Sequence, residues 1–300
     1  MDFFADIVQY HFLGYALLAS VLSGVACGII GTYVVSRQLV FMSGGVTHAS
    51  LGGIGIACYL GVNPIAGAMI FSLATASTIE TISAHSAHGR IREDSSIGIL
   101  WSVGMAIGVA FMSLTPGYAK DMMSYLFGNI LTVTPNVIVA LGALTVVLLL
   151  VMALAYRTVL FVAFDRDYSR SQRMPTAIVS HVMAMLTAMT IVLSIRTVGI
   201  ILLIALLTFP AVIAGMTTRS YGRITLRATA AAVLANIIGL WISYSTDLPV
   251  SVTIIFVLVA MLIAAKLLTL QGLGRLVRLS GYNRHGRNRP GNMETSKADQ

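Results

Sequence analysis

The sequence contains few charged residues for its length. Of its 300 residues only 10% are Asp, Glu, Lys or Arg, whereas 57% are hydrophobic. A soluble globular protein carries about 25% charged residues, so this chain lacks the charge needed to cover a surface that faces water. The composition therefore excludes a soluble domain and predicts an all-α polytopic membrane protein, built as a bundle of apolar helices in a lipid bilayer.

Cysteine and lysine are also scarce, and each scarcity excludes a class of protein. The two cysteines, Cys27 and Cys58, lie in apolar runs and do not indicate a disulfide framework. The few lysines follow Ala119, Ala265 and Ser296, so the chain has no phosphate-binding loop of the form G-x-x-x-x-G-K-[ST]. There is no H-E-x-x-H motif either. We therefore expect a chain that is not an enzyme, holds no permanent cofactor and does not hydrolyse ATP by itself.

Long apolar runs predict nine membrane-spanning segments, or eight if one closely spaced pair merges. The segments cover residues 12–36, 41–61, 64–83, 97–115, 134–156, 176–195, 198–216, 226–245 and 250–270. Pro64 and Pro249 suit the first turn of the helices that they begin, and Arg196 marks a tight turn between the sixth and seventh segments. Residues 121–130 predict a short interfacial helix.

The basic residues predict the orientation of the chain. With nine segments and the N-terminus outside, all but Lys120 and Arg196 of the 19 basic residues fall on the cytoplasmic side. The net charge of +8 is then explained by membrane topology and indicates no nucleic-acid partner. Residues 1–272 are predicted to form a transmembrane domain, and residues 273–300 a basic, disordered cytoplasmic tail.

The most informative ionisable residue is His48 in the second segment, because polar groups inside a membrane are costly. Gly44, Gly52 and Gly55 share its helical face and predict close packing against a neighbouring helix. Hydroxyl groups nearby are those of Ser43, Thr47 and Ser50. A neutral imidazole is a common ligand of transition metals, so a metal path around His48 is one interpretation. A structural histidine that is hydrogen-bonded to a neighbouring helix is the other.

Four further ionisable residues lie at or beyond segment ends. Glu80 and His181 are expected to extend toward the membrane surface. His85 and His88 are expected in a solvated loop rather than in a metal site.

The loop between the fifth and sixth segments is strongly charged and ends at Pro175. It carries Asp165, Arg166, Asp167, Tyr168, Arg170 and Arg173. Such a stretch predicts a short cytoplasmic helix that lies along the membrane and docks on a soluble partner. An ordinary cytoplasmic loop is the alternative.

Several segments of the chain carry a family resemblance. They read YVVSRQLVF at 33–41, REDSSIGI at 92–99, MSYLFGNIL at 123–131, FDRDY at 164–168 and SIRTVGIIL at 194–202, the last running on to LLTFPA at 206–211. Taken in this order, they resemble the permease subunits of bacterial ABC importers for zinc, manganese or iron, the metal-ion ABC-3 family. The resemblance covers about residues 10–272.

The resemblance implies a fold, a function and a set of partners. Two copies of the permease form a homodimer around a central path in the bacterial inner membrane, and two cytoplasmic ATPase subunits dock on the coupling loop, residues 165–173. An extracytoplasmic metal-binding protein delivers the divalent ion, which moves inward by alternating access. Candidate residues for docking that protein on the outer side are Lys120, Asp121, Arg196 and Asp247.

Two positions depart from the family pattern. The family carries an Asp four residues before its metal-binding His; His48 matches the His, but Gly44 stands at the Asp position. The choice among zinc, manganese and iron therefore stays open. Family members also often have Gly where Arg173 stands in the coupling loop.

Two other classes of transporter share parts of this pattern. A siderophore-type or cobalamin-type ABC permease has a similar plan but needs a wider path. An ion-coupled secondary metal transporter would show paired interrupted helices and charges embedded in the membrane, and the sequence contains neither.

Overall fold

The structure is a computed structural model that describes residues 9–85, 93–115, 128, 130 and 133–285, with backbone alone at 84–85, 93 and 271–285. These residues form helices joined by turns, with no β-strand among them. The helices are α1 (His11–Ser36), α2 (Val40–Tyr59), α3 (Pro64–His85), α4 (Glu93–Leu114), α5 (Pro135–Phe164), α6 (Arg166–Ser171), α7 (Thr176–Thr217), α8 (Tyr221–Thr246) and α9 (Val250–His285). Within the described part of the chain, eight helices are long and apolar enough to cross a membrane.

Helix α7 doubles back on itself and crosses the bundle twice. Near its start, the Ser180 hydroxyl accepts a hydrogen bond of 3.1 Å from Arg37, which directly follows α1. Near its end, Ala211 packs with Val35 in the last turn of α1. A straight helix would separate residues 180 and 211 by about 46 Å, so both cannot meet the same end of α1 without a reversal. The reversal lies at Gly199, whose φ of +80° and ψ of 165° are available to glycine alone.

The nine predicted crossings are therefore present in the described residues, with 176–195 and 198–216 joined in one helix. Arg37, α6 and the segment 219–227 lie at one end of the bundle, and Arg196 and Asp247 lie at the other. The positive-inside rule assigns the basic end to the cytoplasm, and this orientation stays a prediction. Helix α9 continues to His285, beyond the predicted domain boundary at 272. The disordered tail remains a prediction, and residues 286–300 lie outside the described part.

Helix α2 is the most deeply buried of the described crossings, since 78% of the residues in its most apolar stretch are buried. Helix α4 runs parallel to it, since Gly45 meets Ile97 while Gly55 meets Gly108. Helix α3 runs antiparallel to it and approaches closely where Gly53 meets Gly67. Small side chains allow the backbones of two helices to come into contact. The van der Waals packing that results is a main source of helix association inside a lipid bilayer. This packing holds the helix that carries His48 between α3 and α4, with the His48 side chain partly buried.

Candidate metal path and coupling helix

Two of the glycines on the His48 face of α2 make close contacts with α4. A β-carbon at Gly52 would lie 2.8 Å from the carbonyl oxygen of Gly104, and one at Gly55 would lie 2.5 Å from that of Gly108. Any larger residue at Gly52 or Gly55 would therefore push α2 and α4 apart.

Gly44 makes no such contact among the described residues. A β-carbon at Gly44 would meet no atom within 4 Å, although the glycine itself is buried. Its role as a close-packing residue stays a prediction. Gly44 and His48 are four residues apart, so they lie on one helical face about 5–6 Å from each other. There is space beside His48 for a side chain that the sequence does not supply.

The imidazole of His48 stacks on the indole of Trp101 from α4. The ring centroids are 4.5 Å apart and the rings are tilted by only 3°. The Trp101 N–H donates to the sulfur of Met105 one turn further along α4, and Phe41 packs obliquely on the same indole at 5.9 Å. Stacking fixes the plane of the imidazole while leaving its ring nitrogens free at the edges. Trp101 was not among the predicted site residues, although its place in the glycine-lined α4 is a signal for a ring in close contact with α2.

The Nδ1 atom of His48 is buried and has no hydrogen-bond partner among the described residues. A buried polar atom without a partner normally has an explanation, such as an ion or a ligand that it binds. The alternative interpretation, a structural histidine bonded to a neighbouring helix, finds no such bond at Nδ1. The described residues contain no cluster of three or more His, Cys, Asp or Glu side chains that could hold a metal ion. His48 therefore belongs to no such cluster among the described residues of one chain, and its role as a metal ligand stays a prediction.

The three hydroxyls predicted beside His48 are fully buried. Ser43 donates to the carbonyl of Val40, Thr47 donates to that of Ser43, and Ser50 donates to that of Thr47. The structure thus engages all three with their own helix and shows no hydrogen bond from them to His48. Their role as metal ligands stays a prediction.

A polar cavity of about 370 Å³ lies at the cytoplasmic end of α2 and α4. It is lined by Arg37, Gln38, Leu39, Phe41, Met42, Asp94 and Ile97. Phe41 connects this cavity to the Trp101–His48 stack, because its ring contacts the Trp101 indole. The His48 face of α2 thus leads toward a polar opening on the cytoplasmic side.

Helix α6, hereafter the coupling helix (Arg166–Ser171), lies where the sequence predicts a short cytoplasmic helix. Asp165 caps it by accepting a hydrogen bond of 2.8 Å from the backbone N–H of Tyr168. The side chains that face outward are those of Asp165, Asp167, Tyr168 and Arg170, together with Arg173 beyond the helix. Arg173 has a φ of +56°, a left-handed conformation that favours glycine. This backbone geometry gives a physical reason for the Gly that family members often carry there.

Arg166 differs from its neighbours because its side chain turns inward. Its guanidinium Nη2 lies 2.7 Å from Oε1 of Glu80 on α3, and the Glu80 side chain is only 1% exposed. The expectation that Glu80 extends to the membrane surface is therefore wrong, since Arg166 supplies a partner inside the protein. His181 is half-buried, and its ring nitrogens contact Thr81 at 3.3 Å and the Ala177 carbonyl at 2.9 Å.

The predicted outer docking residues are only partly described. Arg196 and Asp247 are exposed at the outer end of the bundle. Lys120 and Asp121 lie outside the described residues, as do the side chains of His85 and His88 and most of the predicted interfacial helix at 121–130.

Nine passes among the described residues, two of them made by α7, define a polytopic membrane protein. The chain belongs to the ABC 3 transport family, whose profile matches residues 9–269. It is accordingly a multi-pass membrane subunit of an ABC transporter in the bacterial inner membrane, as the resemblance implied.

Individual relatives agree with this assignment. An uncharacterized membrane protein of Synechocystis is 38% identical over 250 residues, covering 83% of this chain and 88% of the relative. The manganese transport system membrane protein MntC of Halalkalibacterium halodurans is 30% identical over 255 residues, covering 85% and 86%. The solved structure of PsaBC from Streptococcus pneumoniae in complex with Fab contains a chain that superposes with a TM-score of 0.78 at 25% identity, covering 88% of this chain and 94% of that one.

Proposed function

We propose that this chain is the permease subunit of an ABC importer that moves a divalent transition-metal ion into the cytoplasm. Manganese is the substrate that we favour over zinc and iron, because the relative from Halalkalibacterium halodurans is named as a manganese transport protein. Membership of the ABC 3 transport family favours this function over an ion-coupled secondary carrier.

The observation that carries the proposal is the buried Nδ1 of His48, which has no partner among the described residues. An imidazole nitrogen is a common ligand of iron and zinc, and manganese would combine it with oxygen ligands such as water. Stacking on Trp101 holds the ring in one plane. The single histidine makes a weak site. A transport site must be favourable enough for the ion to enter and weak enough for it to leave.

A second copy of the chain completes the site in this proposal. One imidazole supplies one ligand, whereas a bound transition metal usually has four or more. The His48 face of α2 has room for a side chain at Gly44, and Phe41 beside it is 48% exposed. A homodimer that packs along this face would bring two imidazoles together on its axis, with waters filling the remaining positions.

Two cytoplasmic ATPase subunits power the cycle by docking on the coupling helix. Tyr168 is 50% exposed there, beside the exposed Asp167 and Arg170. Closure of the ATPases around ATP moves the coupling helices, and rocking of the two permeases opens the His48 path to one side at a time. The cavity lined by Phe41 and Asp94 is the exit toward the cytoplasm. An extracytoplasmic metal-binding protein delivers the ion near Arg196 and Asp247.

The test is metal uptake by the reconstituted complex. The chain is purified with its ATPase and reconstituted into proteoliposomes, with ATP supplied either inside the lumen or outside. Uptake of radioactive Mn²⁺ is then measured in the presence of the delivery protein. We expect uptake to require ATP on the side of the membrane where the ATPase lies. Unlabelled free Mn²⁺ should reduce the uptake of the radioactive ion by competition. Uptake without ATP would indicate a secondary carrier. Competition by a metal chelate rather than by the free ion would indicate a siderophore-type permease, and either result would contradict the proposal.

A further inference from the structure

Glu80 and Arg166 form a buried ion pair between a membrane-spanning helix and the coupling helix. Arg166 Nη2 and Glu80 Oε1 are 2.7 Å apart, and the two side chains are 16% and 1% exposed. Removing two charges from water is costly, and their attraction repays this cost only when the contact geometry is good. The other ion pair among the described residues, Arg170 with Asp167, is exposed and 3.8 Å long. Of these two ion pairs, Glu80–Arg166 is therefore the shorter and the one shielded from solvent.

Formation of the coupling helix does not account for Arg166. Asp165 already caps the helix, and Asp167 places a negative charge in its first turn. A positive charge at the first helical position opposes the helix dipole, so Arg166 weakens the helix in which it lies. Its side chain instead leaves the cytoplasmic surface and contacts α3, while the buried Ser169 anchors the same side of the helix. The coupling helix therefore has one face toward the solvent and one toward the membrane bundle.

A second polar contact meets the first at the same end of the bundle. Arg37 donates to the Tyr33 hydroxyl at 3.3 Å and to the Ser180 hydroxyl at 3.1 Å, which joins α1 to the start of α7. Tyr33 also lies close enough to Glu80 and Arg166 to interact electrostatically with both. Four elements, α1, α3, the coupling helix and α7, thus share one cluster of polar side chains below the membrane path.

Further along its length, away from this cluster, α3 packs against α2, the helix that carries His48. Its Phe71 ring packs against Gly52, and its Gly67 approaches the backbone of Gly53 so closely that a β-carbon would overlap it. Backbone contact of this kind leaves little room for α2 and α3 to slide independently. A displacement of α3 is therefore passed to α2.

We infer that Glu80 is a positioning residue that ties the coupling helix to α3, so that movement of the coupling helix reaches the His48 path through the Glu80–Arg166 pair. The inference rests on the proposed function, because it assigns a route for the motion that the ATPase subunits impose. Tyr168 and Arg170 lie on the face of the coupling helix that docks on the ATPase. Arg166 lies on the opposite face and passes the movement of the coupling helix to α3.

A purely structural role is the competing explanation, and the variant Glu80→Met with Arg166→Met separates the two. Replacing a buried ion pair by apolar residues of similar volume is often neutral or stabilising, so this double variant should assemble. The experiment measures Mn²⁺ taken up per ATP hydrolysed in proteoliposomes, together with the yield and melting temperature of the complex. Arg227→Met is the matched control, since Arg227 lies at the same end but is exposed and bonds to Thr217.

We expect the double variant to assemble and hydrolyse ATP while its uptake per ATP falls at least tenfold, with Arg227→Met equal to the wild type. A wild-type ratio in the double variant would overturn the inference and leave the pair a stability feature. Failure of the wild-type complex to couple uptake to ATP would instead overturn the proposed function, and the inference with it.

A second variant decides the question if the double variant does not assemble. Glu80→Asp keeps the charge but shortens the side chain by one methylene, so the contact of 2.7 Å must lengthen or the coupling helix must shift. We expect this variant to assemble with a two- to fivefold lower uptake per ATP. An unchanged ratio would show that the pair does not transmit movement.

Discussion

Replacing Gly44 by Asp tests whether the open space beside His48 belongs to a metal site. The structure leaves room for the new side chain, because a β-carbon at Gly44 meets no atom within 4 Å. On a helix, residues four apart have β-carbons about 5–6 Å from each other, so the carboxylate and the imidazole can bind one ion. This is also the residue that the family pattern places there.

The expected magnitude follows from the number of ligands. Loss of a residue that only supports a metal ligand typically costs about 10–100-fold in metal affinity, and a direct carboxylate ligand should contribute no less. We therefore expect Gly44→Asp to lower the Kd for Mn²⁺ at least tenfold, or about 1.4 kcal/mol. Tighter binding slows release, so the maximal transport rate should fall at the same time.

The assay is isothermal titration of the purified complex with Mn²⁺ in the absence of ATP. Gly44→Asn has nearly the same shape without the charge, and Gly215→Asp places a carboxylate in another open position that is remote from His48. Both controls should keep the wild-type affinity. An affinity of Gly44→Asp equal to that of Gly215→Asp would refute the assignment of this face of α2 as the metal path.

Two further predictions concern the backbone reversal in α7 and the stacked rings. Gly199→Ala should lower the free energy of unfolding by about 1–3 kcal/mol, because alanine does not tolerate a φ of +80°. The control Gly215→Ala in the same helix should be neutral. Equal melting temperatures for the two variants would contradict the reversal at Gly199. Trp101→Ala should raise the Mn²⁺ concentration for half-maximal uptake about two- to tenfold, since aromatic stacking contributes about 0.5–1.5 kcal/mol, and Trp101→Phe should recover most of the loss. An uptake curve for Trp101→Ala identical to the wild type would show that the indole does not hold His48.

The crossings were predictable because each consists of an apolar run of about twenty residues, the length that a bilayer requires. The reversal in α7 was predictable in the same way, since Arg196 interrupts a run that is too long for one crossing. Arg196 lies three residues before the glycine that makes the turn.

The contacts at the site were less predictable, because they join residues that are distant in sequence. Glu80 and Arg166 are 86 positions apart, and no local periodicity indicates that they meet. His48 was identified because a histidine in an apolar helix is conspicuous, whereas Trp101 is an ordinary membrane residue until the fold brings it against the imidazole. The open space at Gly44 was not predictable, because glycine spacing indicates a small-residue face but not which of its glycines meet a neighbouring helix.

The central claim is that metal crosses the membrane at His48, and uptake by His48→Ala tests it most directly. The measurement is the initial rate of ATP-dependent Mn²⁺ uptake in proteoliposomes, with ATPase activity and complex yield determined on the same samples. His11→Ala is the matched control, because His11 is exposed at the first residue of α1. We predict that His48→Ala abolishes uptake while the complex still assembles and His11→Ala transports normally. Undiminished Mn²⁺ uptake by His48→Ala would contradict the account.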